Sequence, residues 1–146
     1  MRISTRGCYA VSALIEMSLD TSGDRIAVAT LAQRLGISKI YLEQVFSILK
    51  RAGLITSTKG AQGGYTLQKK PAEITMYDIL SPIEQHLFET ADKSLENIPQ
   101  ELAVGLDELV IAPLDSAIFT ALNSITLEKL AEDTARRRGA EAMYFI

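Results

Sequence analysis

Residues 36–65, GISKIYLEQVFSILKRAGLITSTKGAQGGY, decide the fold. Between Ser38 and Ala52 the apolar residues Leu42, Val45, Phe46 and Leu49 recur at i, i+3, i+4 and i+7, one face of a helix. The other face carries Lys39, Tyr41, Glu43, Gln44, Ser47, Lys50 and Arg51. Ser38 is placed to cap this helix, because its hydroxyl can accept from an unpaired first-turn N–H. Gly53 stands just past the far end, where a left-handed cap favours glycine. Residues 54–58 and 65–68 then read as two short strands around Lys59-Gly60-Ala61-Gln62-Gly63-Gly64. A polar, partly basic helix beside a glycine-rich hairpin is the outline of a winged helix-turn-helix.

Upstream, Ser4 and Thr5 precede a first helix that runs to about Asp20, with Ala10, Ala13, Leu14 and Met17 on one face. Thr21-Ser22-Gly23-Asp24 is a turn cluster that ends it. Ile26 and Val28 suggest a short strand edge, and residues 30–35 a second helix with Leu31, Ala32 and Leu35 inward. Gly36 breaks that helix in the sharp helix–helix turn.

Downstream, Pro71 closes the wing. Thr75 caps a helix from Met76 with Ile79, Leu80 and Ile83 apolar, which Pro82 should end or kink. Residues 84–105 show no clear period and read as loops with one or two short helices. Pro113 fits the first position of a further helix, along which Leu114, Ala117, Ile118, Ala121, Leu122 and Ile125 hold the helical rhythm. Thr126 caps a last helix over residues 127–137, with Gly139 beyond it. Arg136, Arg137 and Arg138 would then meet that helix's negative end, in preference to forming a second basic site.

The expected organisation is mainly α with a small β-hairpin wing. Residues 1–80 form a winged helix-turn-helix head, 81–111 short helices and loops (a linker or effector region), and 112–146 a dimerisation helix and C-terminal helix. The stripe from Leu114 to Ile125 has two readings. It is core against the same chain, or, since a helix projecting from a small head has little of its own chain to pack on, a homodimer interface. A palindromic DNA site needs such a dimer.

At 146 residues the chain is long enough for one domain with a core, or a small domain plus an arm. The opening MRISTRGCYAVSALIEMSLD is interrupted by Ser12, Glu16 and Ser18, too polar and too short for a signal peptide or a spanning helix. The expectation is a cytoplasmic protein with no membrane partner. The net charge of −3 conceals an asymmetry: residues 1–70 hold ten basic and four acidic residues, net +6, and the remainder five basic and fourteen acidic, net −9. A basic head that meets phosphates fits this division.

An enzyme is not indicated. His86 is the only histidine, Cys8 the only cysteine, and no carboxylates stand at suggestive spacing. GAQGGY lacks the Lys-Ser/Thr of a phosphate loop and joins no strand to a helix. No catalytic residue, metal ligand or cofactor is expected, and His86 reads as an ordinary surface or interface residue.

These residues resemble the Rrf2 family of bacterial winged-helix transcription regulators. The opening segment is similar to that family's N-terminal helix signature. Residues 36–65 look like its recognition helix and wing, including YLEQ and GGY. PAEITMYDIL resembles the start of the next family helix, and LNSITLEKLA the end of its long dimerisation helix. Family members that sense iron, redox state or nitric oxide are implied to hold an iron–sulfur cluster through three cysteines before the long helix. Here the corresponding segment, residues 89–109, has none, and cluster ligation needs several thiolates. The chain, with its MYFI ending, is similar to the cluster-free branch that includes a repressor of cysteine metabolism.

The resemblance implies a homodimeric, sequence-specific DNA-binding regulator, a repressor, with the third helix in the major groove presenting Lys39, Tyr41, Glu43 and Gln44. Gln44 can bond an adenine edge twice, and Glu43 can accept from a cytosine amino group. Glu43 has a second reading as a local ion pair with Lys39 or Lys50. Lys59 at the wing tip would approach the minor groove, with the glycines letting the backbone come close to the phosphates, and Gln62 and Gly63 belong to the same DNA-binding surface. Arg2, Ser4, Thr5, Arg6 and Tyr9 would fix register on phosphates, and Ser38 and Lys50 complete the surface. Cys8 is either a small buried hydrophobe or a thiol redox switch. Sulfur or cysteine metabolism, thiol redox and a metabolic-enzyme partner are the candidate signals. The rival readings are a winged-helix module that docks such an enzyme, and a metal or cluster sensor with atypical ligands.

Overall fold

The computed structural model describes residues 3–22, 25–88 and 95–144. Helix α1 (Thr5–Leu19) starts at Ser4, whose hydroxyl accepts from the Gly7 N–H at 3.0 Å. Ala10, Ala13, Leu14 and Met17 are buried along its inner face. Helix α2 is Val28–Leu35 and α3 is Lys39–Arg51. Between them Gly36 takes φ 65°, a left-handed conformation that lets the chain reverse without the strain a Cβ would bring. Val28 therefore belongs to α2, and Ile26 alone forms the expected edge.

That edge is a bridge to the wing. Strands β1 (Ile55–Thr58) and β2 (Gly64–Leu67) pair antiparallel, Ile55 opposite Leu67 and Thr58 opposite Gly64. Ile26 exchanges backbone hydrogen bonds with Tyr65 at 3.0 and 2.9 Å. A Cβ on Gly64 would lie 2.8 Å from the Ile26 carbonyl oxygen, so only glycine lets the wing's base close here. Phe46 of α3 meets Tyr65 edge-on, ring centroids 4.8 Å apart, which joins helix and wing through the core. Helix α4 (Met76–Leu80) opens with a reciprocal cap between Thr75 and Asp78 and stops before Pro82.

Beyond a 3-10 turn at Gln85–Leu87 the structure departs from the sequence expectation. Helix α5 (Gln100–Leu106), a π turn (Asp107–Ile111) and α6 (Ala112–Asn123) form one rod, since the joints at Asp107 and Ala112 stay right-handed helical. By a rise of 1.5 Å per residue it is about 36 Å long. Pro113 thus lies inside a helix rather than at its start. Proline lacks the N–H for an i→i−4 bond and crowds the preceding turn. The π turn, with the Ala112 N–H reaching the Asp107 carbonyl, falls directly before it and gives that room.

The last helix, α7 (Leu127–Tyr144), also runs past its expected end. Gly139 costs about 1 kcal/mol inside a helix, and the following Ala, Glu, Ala and Met are good helix formers. Arg136, Arg137 and Arg138 are therefore not at a helix terminus, and the expected contact with its negative end is corrected. Arg136 and Arg137 pair with Asp133, the latter at 2.7 Å, while Arg138 reaches Glu16 of α1. Helix α7 is stitched to the head: the Met76 N–H donates to the Ile125 carbonyl at 2.9 Å and the Leu127 N–H to the Ile74 carbonyl at 2.8 Å. Leu127 is buried in the same core as α1 and α3, and Ala131 is buried one turn further on. The sequence division at residue 111 thus falls within a continuous rod, and the start of the C-terminal helix packs with the head.

Candidate nucleic-acid interface

The head's outward surface is built on α3. With Leu42, Val45, Phe46 and Leu49 fully buried, the helix can only present its other side to solvent. Lys39, Glu43, Gln44, Ser47, Lys50 and Arg51 are all exposed there. Ser38 caps the helix, its hydroxyl accepting from the Tyr41 N–H at 3.4 Å. Tyr41 itself is half-buried and meets Tyr9 of α1 edge-on at 5.6 Å, so α1 and α3 are fixed to each other beside the surface.

Glu43 pairs with Lys39 at 3.6 Å, one turn earlier, and not with Lys50. Both side chains are about half exposed, and such a pair contributes little, so a base amino group can compete for the carboxylate. Lys50 instead donates to the Ser57 hydroxyl of β1 at 2.5 Å, a second tie between helix and wing. Lys59, Gly60, Ala61 and Gln62 project at the wing tip, and the turn is closed by the Gly63 N–H donating to the Gly60 carbonyl at 2.9 Å.

The start of α1 lies differently from its expected role. The N–H and hydroxyl of Ser4 both donate to the Glu84 carboxylate, at 2.8 and 2.6 Å. Its donors are thus occupied by a residue 80 positions away, which no local pattern announces. Thr5 and Arg6 are exposed and Tyr9 half-buried, while Arg2 lies outside the described residues. Cys8 is exposed on α1, which removes its reading as a buried hydrophobe. His86 sits exposed on the 3-10 turn.

Sequence reasoning passed over Ile40. It stands off the buried stripe, three and four residues before Glu43 and Gln44, and is 69% exposed. Among the described residues it is the one large hydrophobic of the head left so open. Apart from Met143 and Tyr144 at the end of α7, the others cluster on the rod, where Leu102, Leu106, Leu109, Val110, Leu114 and Phe119 face solvent and no residue of α5, the π turn or α6 is buried. Of the stripe read from the sequence, Leu114, Ala117 and Ala121 are exposed and Ile118 is partly so. Leu122 and Ile125 pack against the head core. Phe119 stacks edge-on to Tyr77 at 4.9 Å, and Tyr77 to Phe88 at 5.2 Å, which anchors the rod's end on α4. Between residues 100 and 123 the chain has Glu101, Asp107, Glu108 and Asp115 and no lysine or arginine. The acidic rod and the exposed, partly basic face of α3 and the wing are thus separate parts of the molecule.

The model of the Rrf2 family, described as an iron-dependent transcriptional regulator, matches residues 3–133. Protein rrf2 of Nitratidesulfovibrio vulgaris is 33% identical over 137 residues, covering 92% of this chain and 90% of its own. The HTH-type transcriptional regulator IscR of Pectobacterium carotovorum is 33% identical over 146 residues, covering 97% and 88%. The structure of CymR, the global cysteine regulator of B. subtilis, superposes with a TM-score of 0.73 at 32% identity, covering 90% of this chain and 97% of that one. The latter two are named as regulators, not enzymes. Among the described residues no helix is long and apolar enough to cross a membrane.

Iron fits poorly to the groups present. The chain's single cysteine cannot ligate a cluster alone. Among the described residues no three of His, Cys, Asp and Glu converge on one point.

Proposed function

The chain belongs to the Rrf2 family of DNA-binding transcriptional regulators, and from that premise we propose that it is a homodimeric repressor without a conventional iron–sulfur cluster. In this reading α3 lies in the major groove with Lys39, Tyr41, Glu43 and Gln44 toward the bases. Lys59, Gln62 and Gly63 of the wing approach the minor groove, and Thr5, Arg6, Tyr9, Ser38 and Lys50 line the backbone. The observation that carries it is the exposed polar face of α3, held rigidly to a basic wing by the Phe46–Tyr65 and Lys50–Ser57 contacts.

The dimer rests on the rod. An apolar stripe of this length left open to water marks an interaction surface, and a second copy offers the same surface under twofold symmetry. Pairing there gives two reading helices for a palindromic operator. The absence of cysteine between residues 89 and 109, together with similarity to the B. subtilis cysteine regulator, favours a signal from sulfur metabolism or from the exposed Cys8 thiol over a cluster. A metabolic enzyme is a further candidate partner.

The test is selection from random-sequence duplexes, followed by binding at several salt concentrations. Enrichment of a palindrome, with affinity falling steeply as salt rises, is the expected result. Binding that is indifferent to salt and sequence would refute the reading. An iron assay on protein purified without oxygen addresses the cluster: stoichiometric iron would overturn that part alone.

A further inference from the structure

We infer that Ile40 is a base-reading residue, and that it reads the 5-methyl group of a thymine in the major groove. The assignment rests on the DNA-binding reading above and makes it specific.

A lone exposed isoleucine is ordinary on a protein surface, so exposure by itself decides nothing. Its position does. Ile40, Glu43, Gln44 and Ser47 stand at i, i+3, i+4 and i+7, the stripe of α3 opposite to Leu42, Val45, Phe46 and Leu49. That stripe is the outermost part of the helix, and Ile40 opens it at the second helical residue. In helix-turn-helix proteins the N-terminal residues of the reading helix reach the base edges. Its neighbours Ile37 and Tyr41 pack on the head core, whereas Ile40 stays 69% exposed. Helix propensity gives no reason for it either, since a β-branched residue is weaker in an exposed helix than Ala, Lys or Glu.

The chemistry of the stripe is therefore mixed. Glu43 accepts, Gln44 donates and accepts, Ser47 does both, and Ile40 does neither. An aliphatic side chain has one specific partner on a base edge in the major groove, the thymine 5-methyl group. Facing a cytosine or a purine edge it would desolvate a donor or acceptor with nothing in return. The same residue thus favours thymine and rejects the alternatives.

The experiment uses the full chain and the palindrome it selects from random duplexes. Each thymine is replaced singly by deoxyuridine, which differs only in lacking the methyl group. Binding is measured for the unmodified protein and for Ile40→Ala, with circular dichroism to confirm that the variant is folded. For one thymine per half-site the replacement should weaken the unmodified protein about fourfold, the factor that a buried methyl supplies. The Ile40→Ala protein should bind the thymine and deoxyuridine duplexes equally. Equal effects on both proteins at every thymine, or no effect at any, would overturn the assignment while sequence-specific binding persisted. Failure to enrich any sequence would overturn the DNA-binding reading along with it.

Discussion

Helix α3 and the rod from Gln100 to Asn123 carry the same kind of apolar periodicity and end differently. In α3 every member of the stripe is buried in the chain's own core. On the rod none is buried, and Leu109 is 80% and Leu114 57% exposed. The sequence pattern says only that a face is apolar; what covers it depends on what the chain brings near. Around α3 the chain supplies α1, α2 and the wing. Along the rod it supplies an aromatic anchor at one end, and the remainder stays open.

The sharpest contrast comes from truncating each stripe. Phe46→Ala should cost about 3–5 kcal/mol and leave the head largely unfolded, because it removes a fully buried ring and its contact with Tyr65. Thermal denaturation by circular dichroism reads this directly. Leu109→Glu with Leu114→Glu should leave the melting of the monomer almost unmoved, within about 0.5 kcal/mol as for surface positions, and remove the concentration dependence that self-association gives the unmodified protein. It should nonetheless weaken self-association by at least about ten-thousandfold, since two leucines, each counted twice in a twofold interface at about 1.5–3 kcal/mol, remove about 6 kcal/mol or more. Sedimentation velocity would show monomer. A double variant that still sediments as a dimer would put the interface elsewhere.

Two smaller effects test how the head is closed. Arg138→Ala leaves the nearly buried Glu16 carboxylate without its partner. Breaking a fully buried pair costs about 3–5 kcal/mol. The half-exposed arginine lowers the expected loss to about 1–2 kcal/mol, with faster amide exchange in α7 and little change in α3. Ser38→Ala removes the cap of the reading helix and should cost about 1 kcal/mol, seen as a small drop in melting temperature and a loosened first turn.

A pH effect completes the series. Asp20 is held below its ordinary carboxyl pKa by hydrogen bonds from Ser22 and by Arg34, 2.7 Å away. Its contribution is therefore present above the unfolded carboxylate pKa of about 3.9 and is lost as pH falls through the lower folded value. Asp20→Asn should therefore lower stability slightly at neutral pH, leave it unchanged below the folded pKa, and so flatten the acid limb of the stability curve.

The head was legible because its signals are local. Ser38, Leu42, Phe46, Gly53 and the glycines of the wing each fix a neighbour within a few residues, and the resemblance to one family rested on the same stretch. The rod was not, for a physical reason. The π turn adds a residue between Leu106 and Leu114 and shifts the helical phase, while Pro99, Gly105 and Pro113 look like breaks. The continuation of α7 past Gly139 was hidden in the same way, by a residue that usually ends helices. Contacts such as Ser4–Glu84 and Glu16–Arg138 join positions 80 and 122 residues apart, and no spacing rule reaches that far. Ile40 was visible by its offset from the buried stripe. A reading that sorts a helix into polar and apolar faces passes over an apolar residue on the polar side.

Native mass spectrometry of the chain with its selected palindromic duplex tests the central claim most directly. The account predicts two chains per duplex, with the Leu109→Glu, Leu114→Glu variant giving single occupancy at much lower affinity. One unmodified chain per duplex at saturation, or occupancy unchanged in the variant, would contradict it.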